Sequence, residues 1–436
     1  MSYTNNNTPV RYVERIGLYS FIFMLMVLLL FLFGPIPWSK EHDLLDFVGI
    51  FLLLSYFISF YKGYRNNIPN NFNAIYVNRK FQRIDNRKIT IRLLKVTIWI
   101  SLIVTVLNAF EYAGVRSFSE LFYKALYGLN NAAEVYYEKD VSSRAGTFIG
   151  FINLFFQPVV FWSLALSLFY FKDISILHKI IIVSTLSIEL LRWFAIGTNK
   201  GLVDIIGLII SIAIIVKWKT PPSYIQKKRS LKERIFFLLP FALIFLFLLY
   251  FTAAIDDRTD SSYTPSYFSS YPYNLIPVGL RSSVEHINSY LTQGYYNMLQ
   301  CFKYCDFDWT CGIGNSRFLM GVFEGITGMN LFERTYPAQL QYFGVDPLAS
   351  WHSVYSWFAS DLTFFGIIPF MYFIGKCYAK VVCSAIAEAD SISIVLFYFF
   401  VLAIANSSCT NYVLAYTNMC SATIIFVIIK MMRRNG

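Results

Sequence analysis

Charge is scarce in this 436-residue chain. Only 14% of its residues are Asp, Glu, Lys or Arg, while 56% are hydrophobic and 19% aromatic. That balance excludes a separate soluble enzyme domain, because only one polar stretch is long. Short alternating apolar and polar segments are also lacking, which excludes an outer-membrane barrel. The first apolar segment ends Phe33-Gly34-Pro35 and lacks a small-x-small cleavage site, so a retained helix is expected and not a removed signal peptide. Clustered carboxylates of a divalent-metal kind are not evident. Glu189 and Asp204 stand as isolated acids inside apolar segments. Phosphate charge would then be met by Arg and Lys without a metal, and no cofactor is implied. Two related halves, as an inverted-repeat transporter would show, are not apparent.

What the chain does have is a succession of apolar segments, each about 17–25 residues long and able to cross a bilayer as a helix. About ten spans are expected, near residues 16–36, 47–62, 91–110, 147–170, 178–196, 200–217, 235–253, 354–376, 391–407 and 412–431. The fold class is therefore an all-α polytopic membrane protein. It forms one integral membrane domain over 1–436, interrupted by one large loop over 254–351. The net charge of +11 does not point to nucleic acid, because the basic residues cluster in short connections. One cluster runs from Lys62 to Arg92, another from Lys217 to Arg234. Arg11 and Arg15 mark the N-terminus, and Arg433 and Arg434 the C-terminus. With ten spans all four fall on one side, which makes that side cytoplasmic. The 111–146 connection and the long loop then lie outside, and acidic residues outnumber basic ones in that loop.

Both external connections carry helical patterns. Phe118, Leu121, Phe122, Ala125, Leu126 and Leu129 recur at helical spacing, as in an amphipathic helix on the outer membrane surface. Val284, Ile287, Leu291, Met298 and Phe302 predict a helix over about 282–302, and a second is expected over 316–327. Asp256–Tyr273, rich in Ser, Tyr, Asp and Pro, reads as an irregular lid. Cys301, Cys305 and Cys311 are expected to supply one disulfide and a spare thiol, with Cys409 as a further partner.

Four places could carry chemistry. His352, in Trp351-His352-Ser353-Val354-Tyr355-Ser356-Trp357, lies where the loop re-enters the membrane. An imidazole there could take a proton from an attacking hydroxyl, or could simply bond loop backbone. Arg281 opens a loop helix, where a permanent cation meets free backbone N–H groups. That arrangement suits a phosphate, or else a pair with Glu285. Lys200, in the turn Gly197-Thr198-Asn199-Lys200-Gly201, stands near Arg192 inside the preceding span. An intramembrane cation is a functional candidate, although Arg192 could pair with Glu189. Arg317 follows Gly312-Ile313-Gly314-Asn315-Ser316, where glycines could let backbone approach an anion or serve only a turn. His286 is a second choice of base.

These pieces together resemble the O-antigen polymerases of the Wzy type, and the related O-antigen ligases, both of GT-C class architecture. The resemblance rests on Ser289-Tyr-Leu-Thr-Gln-Gly294-Tyr-Tyr, the Gly197–Gly201 turn, and Trp351-His352-Ser353 through Asp361-x-x-x-Phe365-Gly366. It implies en bloc transfer of a glycan from undecaprenyl pyrophosphate to the sugar of another lipid-linked repeat unit. It also implies a periplasmic active site on the bacterial inner membrane and a separate chain-length regulator as partner. In the ligases a His at loop re-entry and two Arg form the site. His352 matches that His. Lys200 stands where relatives often carry Arg, and Arg281, with Arg317 behind it, is the candidate loop arginine. The alternatives are a ligase acting on lipid A-core, a transferase using a monosaccharide lipid donor, and a polysaccharide transporter or flippase.

Overall fold

The computed structural model describes residues 8–38, 43–131, 134–135, 148–216, 266–347 and 350–435. Every regular element among them is helical. In chain order these are α1 (Pro9–Phe33), α2 (Leu44–Arg65), α3 (Phe72–Asn78), α4 (Lys80–Ala113), α5 (Phe118–Asn130), α6 (Phe148–Phe169), α7 (Ile176–Ala195) and α8 (Lys200–Val216). After the long connection come α9 (Val278–Tyr304), α10 (Arg317–Thr327), α11 (Tyr336–Gln339), α12 (Val354–Glu388), α13 (Ser391–Ala405), α14 (Tyr412–Ala415) and α15 (Thr417–Asn435).

Five helices are long and apolar enough to cross a membrane: α1, α2, Ile84–Ala113 of α4, Ile152–Phe169 of α6, and α12. The described chain is therefore all-α, with the helices of a membrane protein. The helices Ile176–Ala195, Lys200–Val216, Ser391–Ala405 and Thr417–Asn435 overlap the other expected spans, but each falls short by length or polarity. For example, α13 has 15 residues, or about 22 Å at 1.5 Å per residue, against a hydrocarbon core of about 30 Å. The expected span 235–253, the basic connection 217–234 and the 254–265 part of the lid lie outside the described residues.

The helices fall into two compact units. The first takes the described residues of Met1–Arg79, Pro265–Ala387 and Phe399–Cys420. Its core is aromatic: Tyr56 lies 5.1 Å from Tyr355, Tyr64 lies 5.1 Å from Tyr378, and Phe57 lies 6.3 Å from Tyr295, ring to ring. Glycines let α2 and α12 touch through their backbones. A Cβ at Gly63 would stand 2.0 Å from the Tyr372 carbonyl oxygen, and one at Gly375 the same distance from that of Phe60. Such small-residue contacts drive helix association where lipid offers no hydrophobic force. The Tyr56 hydroxyl donates to the Phe364 carbonyl at 2.7 Å, and Ser59 Oγ to that of Ile368 at 2.6 Å.

These two bonds follow an interruption in α12. Thr363 has φ 61 and ψ 163, which breaks the helix, and its Oγ1 accepts the Gly366 N–H at 3.3 Å. The Asp361–Gly366 stretch is thus a capped break inside one long helix.

The second unit takes the described residues of Lys80–Thr264, Glu388–Tyr398 and Ser421–Gly436. Here α4 packs on α6 and α7, and α5 packs on α7. Ser117 caps α5 by accepting the Glu120 N–H at 3.2 Å, while Glu120 reaches back to the Arg116 N–H at 2.7 Å. Leu121 and Ala125 on one stripe of α5 are buried against Ala109, Ala113 and Ala195. Phe118, Phe122 and Leu126 on another stripe remain exposed. Asp390 caps α13 through the Ser393 N–H at 3.0 Å and holds Lys430 at 2.7 Å and Arg433 at 3.3 Å.

Candidate functional site

The first unit brings three of the sequence motifs together. α9 carries Ser289–Tyr296, and the chain entering α12 lies against it. The Trp351 N–H donates to Gln293 Oε1 at 3.4 Å, Asn297 Nδ2 donates to the Trp351 carbonyl at 2.7 Å, and the Ser353 N–H donates to the Gly294 carbonyl at 3.3 Å. The Tyr290 and Trp351 rings stand 4.5 Å apart. The Val354 N–H donates to the Ser407 carbonyl at 2.9 Å. Gly294 is required for this closeness, because a Cβ there would lie 2.0 Å from the Ser408 carbonyl oxygen and 2.7 Å from the Ser353 nitrogen. Both neighbours are backbone and cannot swing away. Gly294→Ala is expected to lower stability by about 1–3 kcal/mol, read as a drop in melting temperature of the purified protein.

His352 is held backbone-first between these contacts and is 2% exposed. Neither ring nitrogen completes a well-aligned hydrogen bond, although the Asp346 backbone acts on the ring as an acceptor. Buried polar groups are rarely left so, and each such case calls for an explanation. The Trp357 ring meets the imidazole edge-on at 6.5 Å. Burial pushes the imidazole pKa down to about 4, and the Arg317 charge adds to the fall. The backbone and carboxylate of Asp346 oppose it only in part. His352 is therefore neutral at pH 7.

The same shift makes stability depend on pH. The unfolded imidazole titrates near 6.5 and the folded one near 4, so between these values the unfolded chain holds more protons. The contribution is fully present above about pH 6.5 and is lost as pH falls toward 4, to a total of roughly 3 kcal/mol. His352→Leu should flatten the melting temperature across that window. An unchanged slope would remove His352 as its source.

Arg317 is the cation beside this imidazole. It opens α10, where Ser316 caps the helix by accepting the Leu319 N–H at 3.3 Å. Its guanidinium lies 5.2 Å from the Trp357 ring and 5.8 Å from that of Phe332, and Nη2 donates to the Pro347 carbonyl at 3.0 Å. Crowding lowers its pKa through desolvation, yet the residue keeps an exposed surface. An accessible guanidinium packed on aromatic faces is well placed to meet an anion from outside.

Asp361 holds the turn that presents Arg317. One carboxylate oxygen lies 2.5 Å from Thr310 Oγ1 and accepts the Gly314 N–H at 3.1 Å. The other accepts the Asn315 N–H at 3.1 Å and Asn315 Nδ2 at 2.9 Å. Asn411 Nδ2 donates to the Asn315 carbonyl, and Ser316 Oγ to that of Leu414 at 2.8 Å. The Gly312–Gly314 glycines thus let a turn fold over a buried carboxylate. Asp361→Ala would leave several buried donors without an acceptor. A loss of about 3 kcal/mol or more is expected, read by thermal unfolding together with faster proteolysis between α9 and α10.

Arg281 sits elsewhere. Its Nε donates to the Ile276 carbonyl at 3.1 Å and its Nη2 to that of Asn274 at 3.4 Å, and it stacks 5.8 Å from Phe268. It lies 13 residues before Gly294 on α9, about 20 Å along the axis. Arg317, second in the sequence ranking of loop arginines, is the one that reaches His352. His286 lies about two turns before Gly294 on the same helix.

In the second unit, Arg192 is buried and pairs with Glu189, and it lies 4.3 Å from the Trp193 ring and 5.2 Å from that of Tyr112. Lys200 Nζ meets Asp204 at 2.6 Å and lies 5.3 Å from the same Trp193 ring. Both cations already have carboxylate partners one helical turn away, so an anion there would compete with Glu189 and Asp204. Arg192 Nε, Thr198 Oγ1 and Asn199 Oδ1 have no partner.

All seven cysteines are free, which corrects the expected disulfide. Cys301 is fully buried in α9, and Cys305 stands one helical turn on. Their thiols meet through a side-chain hydrogen bond and are not joined covalently. The sequence does hold an Asp-x-Asp triplet, Asp306-Phe307-Asp308, which corrects the expectation that it has no such pair. Asp308 lies 3.7 Å from Arg334, and the Asp306 N–H donates to Gln339 Oε1 at 3.0 Å. Among the described residues no group of three or more His, Cys, Asp or Glu could hold a metal ion. No family model, curated protein or solved structure matches the chain.

Proposed function

We propose that this protein is a metal-independent glycosyltransferase that polymerises lipid-linked repeat units at the outer face of the bacterial inner membrane. In this reading it has about ten spans of GT-C-like architecture, both termini in the cytoplasm, and the 254–351 loop in the periplasm. The observation that carries the proposal is the pairing of a buried, neutral imidazole, two residues before a membrane helix, with an accessible arginine.

The chemistry balances as a single displacement. The acceptor hydroxyl of one lipid-linked unit attacks the anomeric carbon of the donor glycan, and its proton passes to a His352 ring nitrogen. The bond from the anomeric carbon to the pyrophosphate oxygen breaks, and undecaprenyl pyrophosphate leaves with the electron pair. Its growing negative charge meets the Arg317 guanidinium. An imidazole with pKa near 4 is a weak base, but a bound pyrophosphate offsets the Arg317 charge that depresses it. Substrate binding would thus sharpen the base. Arg281 is the candidate for holding the second lipid pyrophosphate. Membrane anchoring of both lipids confines donor and acceptor to one plane.

The test is an assay of purified protein with undecaprenyl pyrophosphate-linked repeat units, read as a ladder of chain lengths. Release of pyrophosphate lipid without chain extension would point to a different acceptor and overturn the polymerase assignment.

A further inference from the structure

The second unit contains a cluster of amide side chains that no step above uses. Asn108 of α4 and Asn153 and Gln157 of α6 are 5%, 5% and 6% exposed. All three lie within membrane-crossing segments. Asn108 Nδ2 donates to Gln157 Oε1 across the two helices, at a long 3.4 Å. Asn153 stands one turn before Gln157 on the same face of α6. The carbonyl oxygens of Asn108 and Asn153 have no partner. Pro158 in the next turn brings no N–H, so the Leu154 carbonyl also lacks its helical donor.

Interhelical glue accounts for one bond here, not for three acceptors left over in a region without water. Ser163 and Ser167 lower on α6 also lack partners, but a serine hydroxyl can rotate onto the carbonyl one turn back, whereas these amide oxygens cannot. The acceptors call for a ligand rich in donors.

Charge narrows the class. No ionisable residue occurs in α4 between Lys95 and Glu111, nor anywhere in α6. Glu189 and Arg192 of α7, which also packs on α4, neutralise each other. The ligand is therefore neutral. Depth narrows it further: Asn108 lies five residues before the end of α4, and Asn153 and Gln157 lie in the first three turns of α6. The cluster sits near the helix ends that flank the 114–147 connection. Hydroxyls both donate and accept, which matches mixed amide oxygens and N–H groups.

We propose that Asn108, Asn153 and Gln157 form a binding site for sugar hydroxyls of a lipid-linked glycan. The proposal rests on the glycosyltransferase reading for the lipid carrier. An ordered water would use the same hydrogen-bonding chemistry, and the experiment separates the two.

The full-length protein in lipid nanodiscs is titrated with undecaprenyl pyrophosphate and, separately, with the same lipid carrying one repeat unit. Affinity is followed by thermal shift for wild type, Asn108→Leu and Asn153→Leu. The expected result is that wild type prefers the glycosylated lipid. Each Leu variant should keep or raise its melting temperature but lose roughly tenfold in affinity for that lipid alone. Unchanged preference in stable Leu variants would mean a structural water and would overturn the sugar site while leaving the enzyme reading intact. Wild type that binds neither lipid would overturn both. Should a Leu variant fail to accumulate, Asn153→Ser, which shortens the side chain and keeps a polar atom, reads the same difference.

Discussion

His352→Ala is expected to reduce polymer formation by about 100- to 10,000-fold, the span usual for removal of a general base, while the protein still accumulates in the membrane. The large effect follows from position. The imidazole is buried and neutral, and the Arg317 charge acts on it. Two readouts separate a chemical role from a structural one. The acid limb of the rate profile should disappear in the variant, and the melting temperature should no longer fall between pH 6.5 and 4. Chains of normal length from His352→Ala would end the base assignment. A variant that unfolds would instead show the imidazole to be a packing element, and His352→Gln would then test the chemistry with much of the volume kept.

Arg317→Ala is expected to produce the second largest loss, roughly 100-fold or more in turnover, because the leaving pyrophosphate would lose its nearest fixed cation. The same change should move the pH profile in a defined direction. Arg317 is the second cause of the low His352 pKa, after burial. Removing it lets the imidazole hold its proton to higher pH, so the acid limb shifts upward yet stays below pH 6.5 because burial remains. Arg317→Lys keeps the charge and should keep the limb near its wild-type position. It should still turn over poorly, since an ammonium cannot stack on Trp357 and Phe332 or present a two-pronged face to phosphate. A profile that does not move in Arg317→Ala would show that the two side chains are not coupled.

The helices of the external segments were legible one by one. The apolar spacing from Val284 to Phe302 located α9, that from Phe118 to Leu129 located α5, and Ser316 marked the start of α10. Each of these signals is local, since it needs only residues within a turn or two. The pairing of Arg317 with His352 was not legible in the same way. The residues are 35 positions apart, and Arg281 ranked ahead of Arg317 because it opens a helix behind Pro277 and Gly279. What separates them is that Gly294 anchors His352 far along α9 from Arg281, and that Asp361 folds the glycine turn back over α12. The disulfide failed for a related reason. Compartment and cysteine count favour a bridge, but Cys301 is buried in α9 and its thiol meets that of Cys305 only through a hydrogen bond.

Length, the scarcity of charge and the continuous apolar runs determined by themselves that the chain is helical and suited to a bilayer, because an unsatisfied backbone in lipid leaves few other choices. They also singled out His352, since histidine is rare here and its place at a membrane edge can be read from hydropathy. Tertiary structure alone decided which arginine stands beside it, which carboxylate holds that arginine's turn, and that Lys200 and Arg192 each come with a neutralising acid. Lys200 and Asp204 show the limit even within one helix. Spacing of four residues allows their pair, but burial and the Trp193 ring decide that it forms.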